Sequence, residues 1–139
     1  MPRGGQAYRK DLSQKMDLRV DTELQDGIVV ATASGNLAFD AALRLFKQVF
    51  DTAKQNEANK ILLNCLLVEG ELSTIERYNL AIELAAYLKQ RELSPRLAIV
   101  GKPPSVDGFG VRVSQNRGLS AEVFPSQQEA LHWLDVWPR

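Results

Sequence analysis

The chain has 139 residues, with seventeen basic and seventeen acidic side chains, one histidine and one cysteine. That length makes a single domain with a real core, not two. Balanced charge excludes a global footprint for nucleic acid or an anionic membrane, and the lone Cys65 excludes an intrachain disulfide.

No apolar run approaches the ~20 residues of a membrane span. The N-terminus lacks an apolar signal core, so a cytoplasmic location is expected. Residues 1–16 are polar and glycine-containing, with Arg3, Arg9 and Lys10. They are expected to form a flexible basic tail. Residues 17–139 are expected to be the single domain.

Asp17 to Thr22 alternates polar and apolar residues, as a half-buried strand does. Asp26-Gly27 is a turn signal, and Ile28 to Ala33 is β-branched and nearly all apolar. Together they predict an antiparallel hairpin. Ser34-Gly35-Asn36 breaks the second strand. Phe39, Ala42, Leu43, Phe46, Val49, Phe50 and Ala53 then recur with helical spacing. They predict an amphipathic helix over about 38–57.

Lys60 to Leu67 is an apolar run of strand length, the pattern of a strand buried on both faces. The loop after it carries Glu69, Gly70 and Glu71. Ser73 and Glu76 have the spacing of a capping box, which opens a helix running to Arg91. At about 100° per residue, Ile75, Tyr78, Ala81, Ile82, Ala85 and Leu88 share a broad face expected to be core. Leu80, Leu84 and Tyr87 fall on a further strip. Either another element of the chain covers it, or it is an exposed patch that supports a homodimer.

Pro95 ends that helix. Arg96 to Val100 is a short apolar strand. Ser105 is the expected cap of a third helix, with Val106, Phe109, Gly110 and Val113 inward and Gly118 closing it in the left-handed conformation. Gly110 is read as a close approach of helix to sheet. Leu119 to Phe124 is the last strand. Ser126 and Glu129 again space a capping box, before a helix burying Ala130, Trp133 and Leu134. The order is ββαβαβαβα. It predicts an α/β fold with a four- or five-stranded mixed sheet, about four helices and right-handed crossovers.

Three local features resemble the STAS domain, in its SpoIIAA-like branch. They are Val68-Glu69-Gly70-Glu71-Leu72-Ser73-Thr74-Ile75-Glu76-Arg77-Tyr78, then Asn116-Arg117-Gly118, then Val123-Phe124-Pro125 with Glu129-Ala130-Leu131-His132-Trp133-Leu134. The resemblance covers about residues 17–137. In the anti-sigma factor antagonists of that family, a serine at the start of the helix after the central strand is phosphorylated. Its phosphorylation switches off binding to an anti-sigma kinase. Ser73 matches that serine by position. The family motif there is Asp-Ser-Ser-Gly, where this chain has Leu72-Ser73-Thr74-Ile75. Asn64 stands where the family often has aspartate.

Loops after parallel strands gather at one edge of a sheet, the usual binding site of such folds. Here they bring Asn36, Glu69, Glu71, Ser73, Thr74, Arg77 and Lys102 to one rim. Ser73 reads first as a helix cap, and a phosphate there is favoured by the same free amides. Glu69 and Glu71 read as solvated loop carboxylates rather than an acid/base pair. Arg117 either ends its helix or binds an anion. Cys65 and His132 make a nucleophile and base only if the fold joins them. No residues have metal-ligand spacing, and Gly108-Phe109-Gly110 lacks the context of a phosphate loop. No cofactor is expected, and no enzyme. The expected function is a regulatory module that binds a protein partner, an anti-sigma-kinase-like protein or another regulator. The alternative is a binder of a small anionic or amphiphilic ligand at the helix N-termini.

Overall fold

The computed structural model describes residues 16–135, so nearly all of the expected basic tail lies outside the described residues. Five strands and four helices alternate after an opening hairpin. The strands are β1 (Arg19–Gln25), β2 (Ile28–Asn36), β3 (Lys60–Glu69), β4 (Arg96–Val100) and β5 (Ser120–Phe124). The helices are α1 (Phe39–Gln55), α2 (Thr74–Gln90), α3 (Gly108–Gln115) and α4 (Gln127–Asp135). The strands lie side by side in chain order. β1 is antiparallel to β2 and the other pairs are parallel. This is the mixed sheet and element order that the periodicity predicts.

Asp26 and Gly27 turn the hairpin with φ of 51° and 80°. Two consecutive positive φ angles match the twist of the flanking strands. Only Val20 of β1 is half-buried, because this edge strand has little covering it.

The buried strands divide their side chains between two cores, as a pleated strand must. Ile61 and Leu63 of β3 join Val29, Leu97 and Ala121 under α1, α2 and α3. Leu62 points the other way and packs with Val30, Ala98 and Val100 against Ala130 and Leu134 of α4. Three helices therefore cover one face and one helix covers the other. In α1 the stripe includes Leu45, which the periodicity missed, beside Ala42, Val49, Phe50 and Ala53.

Two expected helix orientations are corrected. In α2 the buried residues are Ala81, Leu84 and Leu88, with Leu80 and Tyr87 packed against the same core. Ile75 is 68% exposed and Tyr78 41% exposed, although the helical spacing puts both on the core face. Apolar residues run nearly all round this helix, so periodicity points in no single direction. Contact with α1 and α3 decides the orientation. The strip Leu80–Leu84–Tyr87 is thus covered by the chain itself, and the homodimer expected from an exposed strip loses its basis.

In α3 the cap is Asp107, not Ser105. Asp107 accepts from the Phe109 amide at 3.0 Å, while Ser105 donates its hydroxyl to the Lys102 carbonyl at 3.2 Å. The later start turns Val111 and Ser114 inward instead of Phe109 and Val113. A Cβ on Gly110 would lie 3.9 Å from the Arg77 carbonyl, so this glycine faces α2 and not the sheet. Gly118 has φ of 92° and closes α3 as expected. Leu119 and Gly118 donate their amides to the Ser114 and Gln115 carbonyls, which completes a Schellman turn.

Candidate functional site

β3 outruns its neighbour. Its pairing with β4 stops at Asn64, while its pairing with β2 continues to Glu69 after a register shift. The last residues of β3 thus project beyond β4 and expose Leu66 and Leu67. The Asn64 side chain holds the shift. Its Oδ1 accepts from the Leu66 amide at 2.9 Å, and its amide donates to Gln127 of α4 at 2.9 Å. This residue, set where the family often has aspartate, thus faces α4 and serves the backbone.

The rim is built on that projection. Asn36 pairs in register with Glu69 and donates its amide to the Met16 carbonyl at 2.9 Å. Leu37 donates its amide to the Glu69 carbonyl at 2.8 Å. Gly35 has φ of 110°, and a Cβ there would stand 2.3 Å from the Asp17 carbonyl oxygen. The segment before β1 therefore closes on the backbone itself. Gly70 turns the chain with φ of 92°, and the buried Leu72 anchors the loop.

Ser73 then caps α2. Its Oγ accepts from the Glu76 amide at 3.1 Å, and its own amide donates to Glu76 Oε1 at 2.9 Å. The capping box is complete. Ser73, Thr74, Glu69, Glu71 and Lys102 are all exposed. Arg77 is not. Its guanidinium is ion-paired with Asp107, donates to the Pro104 carbonyl at 2.7 Å and stands 4.0 Å from Glu71. Arg77 therefore clamps the loop before α3 to α2.

The structure brings together Asn36 with Glu69, and Glu71 with Arg77. It does not join Cys65 to His132. Cys65 packs on the side of α1, α2 and α3, while His132 is exposed on α4 across the sheet. Burial pushes the Cys65 thiol up to about 12, which keeps it protonated at neutral pH. Arg117 is exposed and its amide donates to the Ser114 carbonyl at the end of α3. Among the described residues, no group of three His, Cys, Asp or Glu side chains gathers to hold a metal ion. No helix among them is long and apolar enough to cross a membrane.

Sequence reasoning missed two features. Asp107 serves both as cap and as partner of Arg77, and only tertiary contact shows the pairing. The other is the set of exposed apolar side chains Leu66, Leu67, Ile75 and Tyr78. All four belong to the strand and helix that Ser73 joins. The one sequence signal for them is Leu66-Leu67, an apolar pair that carries β3 past the length of β4.

No family model matches the chain, and no curated protein matches it. Among solved structures, an anti-sigma factor antagonist from Mycobacterium paratuberculosis aligns with a TM-score of 0.58 at 16% identity. The alignment covers 85% of this chain and 94% of that one. An uncharacterised protein of the DUF3478 family from Shewanella loihica, with a SpoIIAA-like fold, aligns at 0.49 and 19% identity over 86% and 94%. The chain therefore has the fold of that anti-sigma factor antagonist, in keeping with the resemblance of its sequence to the STAS domain.

Proposed function

We propose that this protein is a non-catalytic regulatory module that binds a protein partner through the rim around Ser73. The observation that carries the reading is the set of exposed apolar side chains on either side of that serine, Leu66, Leu67, Ile75 and Tyr78. Exposed apolar side chains on the two elements that meet at this serine are the kind of surface a partner covers. Asn36, Glu69, Glu71, Thr74 and Lys102 supply the polar border that such interfaces carry. The likeness in fold to an anti-sigma factor antagonist supports a partner of the anti-sigma factor kind.

Ser73 is the switch in this reading. Its hydroxyl is exposed and the free amides of α2 stabilise a phosphate there. Phosphorylation sets a doubly charged group between Ile75 and the β3 projection, where an apolar partner must dock. The test is affinity capture from the native cell with wild-type protein, Ser73→Ala, Ser73→Asp and Ile75→Glu. One partner is expected to bind wild type and Ser73→Ala and to be lost with the other two. Retention of every partner by Ile75→Glu overturns the surface. Retention by Ser73→Asp, with no phosphate on Ser73 in cells, overturns the switch alone.

A further inference from the structure

A cavity of about 130 Å³ lies between the sheet and helices α1, α2 and α3. Ala33, Leu63 and Ile99 of the sheet line it on one side, and Leu80, Leu84 and Val111 of the helices on the other. It reaches the rim beside Arg77 and Asp107, the two charged residues in its lining. Native interiors hold few voids larger than a water molecule. An apolar void of ~150 Å³ stays dry and takes up benzene. The volume here is of that order, and the lining is apolar apart from Arg77, Ser105, Asp107 and Ser114.

The charges at the mouth choose the ligand. Arg77 and Asp107 are paired, so the lining is neutral. Glu71 adds a further carboxylate 4.0 Å from the guanidinium. An anion entering here gains no free positive charge and meets two carboxylates. A guanidinium has five N–H donors, and the bonds to Asp107 and Pro104 leave others for an acceptor oxygen.

We propose that this cavity is a binding site for a small uncharged molecule, a single ring or short chain bearing one hydroxyl or carbonyl oxygen directed at Arg77. Its apolar lining does not include the exposed side chains of the partner-binding surface, although Glu71 of that border stands near Arg77. The molecule differs from the small anionic or amphiphilic ligand expected at the helix N-termini in being uncharged and in lying beneath the helices.

The test is a methyl-resolved NMR titration of the full chain with benzyl alcohol, and separately with benzoate, an anion of similar size. Benzyl alcohol is expected to shift the methyl signals of Leu63, Leu84 and Val111 saturably, and benzoate at the same concentrations is not. Ala33→Val grows a side chain into the cavity and is expected to stay folded and lose the saturable shifts. Ala121→Val does the same from β5. Absence of saturable shifts in wild type overturns the proposal, as does their survival in both folded variants. Equal binding of benzoate overturns the assignment of a neutral ligand. If both variants fail to fold, the space is not free to be filled, and the proposal falls.

Discussion

Tyr87 donates its phenolic hydroxyl to Asp51 at 2.6 Å and so ties α2 to α1. Arg91 completes the contact, 3.0 Å from Asp51 and donating to the Tyr87 oxygen at 3.1 Å. Lys47 and Arg91 also lie 5.1 and 5.2 Å from the centre of the Tyr87 ring. This cluster holds the two helices in the orientation that buries Leu84.

Tyr87→Phe keeps the ring and removes the donor. A hydrogen bond to a charged group is worth ~1.5–3 kcal/mol when buried. Asp51 is 35% exposed, so solvent screening lowers that. The expected loss is about 1 kcal/mol, read from urea denaturation at neutral pH.

The same bond sets a pH dependence. The hydrogen bond to Asp51, then burial, then the charge of Asp51 raise the Tyr87 pKa, against a smaller lowering by Arg91. The folded state thus holds the phenolic proton more tightly than the unfolded state. That contribution is complete below the unfolded tyrosine pKa of about 10 and is lost as pH rises through the folded value. The melting-temperature gap between wild type and Tyr87→Phe is expected to narrow above pH ~10. A gap constant into that range would sink the assignment.

Ser73→Ala removes the acceptor of the Glu76 amide and is expected to cost about 0.5–2 kcal/mol. Ser73→Asp is expected to be nearly neutral, since aspartate caps well and its charge suits a helix N-terminus. Thermal melts of the two variants check this. No loss in Ser73→Ala would mean the box contributes nothing.

Leu84→Ala is expected to cost about 2–5 kcal/mol, as for a core leucine, with the lower end favoured beside an existing cavity. Its sedimentation is expected to match that of wild type. A change of assembly state without loss of stability would place Leu84 at an interface instead.

Cys65 is expected to resist iodoacetamide at pH 8 in the folded protein and to react once the chain is unfolded in urea. The thiolate is the nucleophile, and burial holds the thiol near 12. Mass spectrometry of the alkylated protein reads the difference. Rapid native labelling would show that the thiol is not held in the core.

Much of the fold was written locally. The apolar runs from Ile28 to Ala33 and from Lys60 to Leu67 and the helical spacing from Phe39 to Ala53 each fix an element by its burial. Asp26-Gly27, Ser73 with Glu76, and Gly118 fix the turns and ends through contacts within a few residues. Strict alternation of strand and helix then leaves little choice but a mostly parallel sheet. The same alternation is the reason to expect Ser73, Thr74, Glu69, Glu71 and Lys102 at one rim.

What tertiary structure decided is orientation and pairing. α2 is apolar on nearly every side, so its periodicity does not tell Ile75 from Leu84. The approach of α1, fastened by Tyr87 to Asp51, and of α3 buries one and exposes the other. The Arg77–Asp107 pair joins residues thirty positions apart on different elements. Neither residue's neighbours in the chain announce it. The cavity is less legible still, because empty space arises where three helices and a sheet fail to meet completely. A sequence specifies the side chains that line such a space, and the packing of whole elements decides that the space remains.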